Sequence, residues 1–328
     1  MIFIVLLLVF IVLLLCFKRE HFNSNLINFL SIENTCKELY SIKHLLKYNI
    51  NDINTRNINT TKYNELYKYY CDNLLEFNKK DKLLINWLLD VVYTNINKLS
   101  KVTNKNWNFL YNDISIAKYE YNIENGYPHT HKNIIFVHQH LIDDILNYYN
   151  NNDKVGALKN IGSVIFHELI HIWQRRDIKY FETLYTKYWS FKKASKIING
   201  DKYSNNTRFN PDGPNLNWVL SINNTNIWVL SLYKKDAKNI GDVVYKGIYL
   251  KELSDSIYQI DNTRKIQNLD NIDEYEYYFH NINGNHYHPN ELSAELMSIY
   301  FLKTLKYSYD NFSNNGYKNM LVWLKYMN

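Results

Sequence analysis

The first seventeen residues, Met1 to Phe17, read MIFIVLLLVFIVLLLCF and carry no charged or strongly polar side chain. As a helix rising 1.5 Å per residue this run spans roughly 25 Å, at the short end of what crosses a bilayer. A cleaved signal peptide would want a cationic stretch before the run and small residues at its end. Neither is present, and Lys18, Arg19, Glu20 and His21 follow directly. The expectation is a single-pass transmembrane anchor over 1–17, which makes the membrane one partner of the chain. Lys18 and Arg19 would put the rest of the protein on the cytoplasmic or nuclear face by the positive-inside rule. Sequons at Asn59, Asn205, Asn223 and Asn311 argue the other way, although an Asn-rich chain produces them readily.

Beyond the run, 46% hydrophobic and 21% charged residues are ordinary globular proportions and exclude wholesale disorder. The net charge of +6 is interspersed rather than gathered into runs, so no nucleic-acid partner is expected. Cys16 lies inside the apolar run. Cys36 and Cys71 match no metal-ligand spacing and are either free buried thiols or a disulfide.

From Asn25 to about Lys101 apolar residues recur at helical spacing, among them Leu39, Leu45, Leu66, Leu84, Leu88 and Val91, and predict a helical N-terminal region over 18–101. Between Trp107 and Val137 the pattern turns to strands around a turn at Glu124-Asn125-Gly126. Helical spacing returns at 141–149, 155–176 and 180–198, a strand-rich stretch covers 218–232, and two last helices are predicted at 290–305 and 317–326. The fold class read from this order is α+β, mostly α-helical, with a small sheet in a domain over 102–328. All four prolines fall in GYPHTH (126–131), RFNPDGP (208–214) and HYHPNE (286–291), rigid turns of the kind that carry function.

Inside the helix 155–176 stands His167-Glu168-Leu169-Ile170-His171. Two histidines four apart project from one helical face, so both imidazoles can reach one ion, and Glu168 lies close enough to hold water bound to it. This is the H-E-x-x-H zinc signature. Leu158, Ile161, Ile165, Leu169 and Ile172 form a stripe that would bury the helix on one side. An open zinc site needs a third protein ligand. Asp177 occupies the third ligand position of the longer metzincin pattern, but Gln174 stands where that pattern requires glycine.

Asn290-Glu291-Leu292-Ser293-Ala294-Glu295 resembles the second-helix element of the gluzincins, the thermolysin-like superfamily. The resemblance covers the metal helix and this helix, about a tenth of the chain. It implies a zincin-like domain holding one Zn²⁺ through His167, His171 and Glu291, with Glu295 behind His167 or His171. Glu168 would act as general base and then acid in hydrolysis of a peptide or protein substrate. Candidate oxyanion donors are His286, Tyr287, His288 and Arg208. His129 and His131 are expected to be structural or to line the substrate site, and substrate could pair with a sheet edge near Ile134 to Val137. The three proline segments also resemble a group of HExxH proteins from microbes and large viruses. The anchor with its basic flank looks like the sorting segments of envelope proteins of large DNA viruses, implying a virion envelope or host internal membrane. The competing expectation is an envelope or interaction protein that uses a zincin fold as a binding scaffold.

Overall fold

Hydrophobic alternation after Trp107 builds the first layer. The computed structural model describes residues 27–40, 45, 47–213, 215–282 and 287–326. Ile27–Phe29 (β1), Leu74–Leu75 (β2), Ile114–Tyr119 (β3), His129–His131 (β4) and Ile134–His138 (β5) form one mixed sheet. β3 lies parallel to β1 and β5, β2 runs antiparallel to the end of β3, and β4 closes one edge antiparallel to β5. Ile116, Ile135 and Val137 enter one core, while Ala117, Tyr119, Ile134 and Phe136 enter another. That two-residue period is what a sheet covered on both faces requires.

The first core is shared with the long helix Lys79–Thr103, through Leu84, Leu88, Val92 and Ile96, and with the His167 helix, Ser163–Arg176. The second is covered by Ile32–Tyr40, Ile50–Thr55 and Tyr63–Asp72. A disulfide, Cys36–Cys71, ties the first of these helices to the third. The helices expected in the N-terminal region are thus present. Its strands β1 and β2 also complete the sheet, and its long helix runs through the main core.

The helix expected over 155–176 is present in pieces: Lys154–Ala157, a π-helical turn at Leu158–Gly162, and Ser163–Arg176. Its predicted stripe is fully buried. Gly162 permits the close crossing with the long helix, since a Cβ there would stand 2.9 Å from Val92 Cγ2.

Between the two halves of the expected site lies a second, larger sheet that the sequence revealed only in part. It comprises Phe191–Lys193 (β6), Lys196–Ile198 (β7), Trp218–Ile222 (β8), Thr225–Tyr233 (β9), Val243–Ser254 (β10), Ile257–Ile260 (β11) and Gln267–Asn268 (β12). The order is β6-β8-β9-β10-β11-β7, with β12 beside β10. The helix expected over 180–198 ends at Tyr188, where Ser190 turns to φ 59°, and the rest of that segment is β6 and β7. The mixed α and β class stands, but with two sheets rather than one small one. The inserted sheet accounts for the long separation of His171 from Glu291 in the chain.

The Glu291 helix, Pro289–Thr304, packs along the His167 helix, with Phe166 and Phe301 stacked at 4.3 Å. Proline at its first position has no N–H to leave unpaired there. The run 1–17 and its basic flank lie outside the described residues. Among the described residues no helix is long and apolar enough to cross a membrane.

Candidate metal centre

His167 and His171 stand one helical turn apart with their Nε2 atoms 3.0 Å from each other. Across the helix pair, Glu291 brings Oε2 to 3.5 Å from His167 Nε2 and Oε1 to 3.5 Å from His171 Nε2. Ligands held about 2.0–2.1 Å from one tetrahedral zinc stand roughly 3.4 Å apart, so this triangle has the size such an ion requires. Glu291 and His171 are buried and His167 nearly so.

Burial works against a charged His167, yet hydrogen bonds to Glu291 and Glu295 and the field of Glu168 outweigh it and raise its pKa well above the ordinary value. Burial lowers the pKa of His171. Burial, then the field of Asp212, pushes the Glu168 carboxyl far up, and its Oε2 atom is buried without a hydrogen bond. A set of two imidazoles and a carboxylate beside an orphaned acid fits a divalent cation chemically.

The surroundings decide what the sequence left open. Glu295 Oε2 lies 3.7 Å from His167 Nδ1, so its partner is His167. His171 Nδ1 instead meets Gln174 Oε1 at 2.9 Å. Asp177 is not a ligand: it sits at the end of the metal helix and its carboxylate accepts the Tyr180 N–H, capping Ile178–Thr183. A helix that continues through Gln174 to Arg176 carries Asp177 past the site.

Two proline segments converge on the centre. Asn210 Nδ2 donates to Glu291 Oε1 at 2.8 Å. Asp212 accepts from Thr130 N at 3.2 Å, from Thr130 Oγ1, and from Arg175 Nη2 at 2.6 Å. Burial alone would raise the Asp212 pKa, but the fields of His171 and Arg175 hold it below the ordinary carboxylate value. Glu168, His171 and Asp212 also lie within coordinating distance of one another. Asn210, Asp212, Gln174 and Arg175 were missed as functional residues. The proline segment RFNPDGP was the available signal for Asn210 and Asp212.

A cavity of about 520 Å³ opens over the centre, lined by His129, Glu168, Arg208, Asn210, Tyr245 and Glu295 among others. Glu124 also lines it, as does Arg56, through which the N-terminal region contributes to the cavity wall. Of the four expected oxyanion donors, Arg208 reaches this cavity. His288 does not serve: its Nε2 donates to Asn215 O at 2.7 Å and its Nδ1 accepts from Asn290 N, which caps the Glu291 helix. Burial pushes its pKa down to about 4, leaving it neutral. Tyr287 is buried and stacked on Tyr245 at 5.6 Å, and burial raises its hydroxyl to about 12. His286 lies outside the described residues.

The expected substrate edge is displaced. Ile134–His138 is an interior strand between β3 and β4, and the edge is β4. At its centre the Thr130 N–H meets Asp212 and the Thr130 carbonyl accepts from Arg175 at 3.0 Å, so this stretch of edge is already hydrogen-bonded. His129 lines the cavity and stacks on Phe136 at 5.0 Å, combining the structural and lining roles.

Comparison with known protein families, curated proteins and solved structures finds no match. The functional reading therefore rests on the geometry above.

Proposed function

We propose that this protein is a zinc-dependent peptidase with a zincin-like site of the gluzincin kind, tethered to a membrane by residues 1–17. The observation that carries the reading is the triangle of His167, His171 and Glu291 beside the buried, unpartnered Glu168 Oε2. Zinc bound there would polarise a peptide carbonyl and acidify water. Glu168 Oε2 takes a proton from the attacking water and returns it to the departing amine nitrogen, a task suited to a carboxyl whose proton affinity burial has raised. Glu295 orients His167, Asn210 orients Glu291, and Arg208 presents positive charge from the cavity wall toward the oxyanion of the reacting carbonyl.

Metal analysis of the purified chain, followed by a peptide-library screen, tests this. One zinc per chain is expected, lost in Glu291→Ala. Glu168→Gln should keep the zinc and lose activity by about a hundredfold to ten-thousandfold. Peptidase activity that survives Glu168→Gln overturns the mechanism. A folded chain that binds no zinc, or that binds iron instead, overturns the metal assignment and leaves the scaffold alternative.

A further inference from the structure

Gln174 connects the two metal-bearing helices through atoms whose donor and acceptor roles can be worked out. Its Nε2 lies 2.8 Å from Asn290 O, a carbonyl that can only accept, so this atom must be the amide NH₂. The same NH₂ reaches Ser293 Oγ at 2.9 Å, and Ser293 Oγ donates to Asn290 O at 3.0 Å and meets Tyr185 OH at 3.0 Å. The other end of the amide is then the carbonyl oxygen. It faces His171 Nδ1 at 2.9 Å, which therefore carries the proton. The lone pair of His171 is left on Nε2, the atom turned toward Glu291.

Resting on the zinc reading above, we propose that Gln174 is a positioning residue that locks His171 in its Nδ1–H tautomer and holds Glu291 in register with it. One side chain fixes the ring of one ligand while gripping the backbone of Asn290, immediately before the other. The two histidines thereby differ: His167 is backed by the Glu295 carboxylate and His171 by a neutral amide. Gln174 is buried, so its contribution is not shared with water. Partners of this kind typically govern metal affinity by ten- to a hundredfold.

The test begins with the zinc-free chain, its histidine rings labelled with ¹⁵N, at a pH where His171 is neutral. The expected spectrum has the His171 proton on Nδ1 in the wild type and a loss of that preference in Gln174→Leu. Zinc titration should then show about 10–100-fold weaker binding for Gln174→Leu. Gln174→Glu keeps an acceptor for His171 Nδ1 but loses the donor to Asn290 O, and should restore the tautomer with only part of the affinity. If Gln174 only packed the helices, Gln174→Glu would be the worse variant, because it sets a carboxylate against Asn290 O. A wild-type proton on Nε2, or zinc binding in which Leu matches or exceeds Glu, overturns the proposal. A wild type that shows the Nδ1–H tautomer but takes up no zinc defeats the zinc reading instead and leaves the tautomer lock standing.

Discussion

Arg56, Asp52 and Glu124 form one buried group of charges beside the cavity, and His167, His171, Glu168 and Glu291 form another. In the first group both carboxylates meet one guanidinium and further donors. Arg56 grips Glu124 through Nε at 3.0 Å and Nη2 at 2.8 Å and reaches Asp52 through Nη1 at 3.2 Å. Tyr48 and Tyr70 donate to Glu124, and Tyr233 and the Phe209 N–H donate to Asp52. In the second group carboxylates crowd two imidazoles, and Glu168 Oε2 has no hydrogen bond at all. A buried charge with its partners in place serves the fold, whereas a buried carboxyl oxygen left without one marks a candidate functional position. The first group also supports the second. The helix Ile50–Thr55 holds the segment leading into Asn210 through Asn49 Nδ2 to Thr207 O and Arg56 Nη2 to Phe209 O.

The sharpest way to break this comparison is Arg56→Ala. It strands Glu124 and Asp52 without their cation and should destabilise the protein by about 3–5 kcal/mol in urea unfolding. A loss below about 1 kcal/mol would mean that the paired cluster is not a structural one. Glu168→Gln should do the reverse in the zinc-free chain, leaving stability unchanged or higher by about 1 kcal/mol, because an amide replaces a buried carboxyl whose Oε2 has no hydrogen bond to lose. Clear destabilisation by that substitution would show that Glu168 belongs with the satisfied group.

Stability against pH separates Glu124 from Glu168 by sign. Burial would raise the Glu124 pKa, but Arg56 outweighs it and holds the carboxyl far below its ordinary 4.5. Its contribution is therefore present above about pH 4.5 and is lost as pH falls toward the folded value. Glu168 is shifted upward from the same 4.5, so its contribution is present below that pH and is lost as pH rises through its folded pKa. In zinc-free protein Glu124→Gln should flatten the acid limb of the profile, and Glu168→Gln should flatten the decline above pH 4.5. Identical profiles for the two variants would erase the distinction. The smallest effect is expected at the surface, where Lys37→Ala removes an exposed pair with Glu33 and should leave the unfolding midpoint unmoved.

Much of the centre was legible because it is written in helical periods. His167, Glu168 and His171 fall on one turn, Glu291 and Glu295 on another, and the buried stripe from Leu158 to Ile172 follows from spacing alone. The proline segments were recognisable as loops of consequence, though not their roles. The anchor reading rests wholly on residues outside the described structure. Strands were harder. β10 to β12 went unseen, and the end of 180–198 became two short strands at opposite edges of the second sheet in place of a helix, since short strands carry little local signal and are decided by the neighbours they pair with.

What the sequence determined by itself is the pair of helices able to present ligands, because side-chain direction along a helix depends only on spacing within a few residues. Tertiary structure alone decided that Glu295 serves His167, that Gln174 grips Asn290, and that Asp212 with Arg175 occupies the edge of β4. These are contacts between segments 37 to 128 positions apart in the chain. They exist because two helices and two proline loops are packed against one another around a shared core, where each buried polar atom must find its partner in the fold rather than in its own neighbourhood.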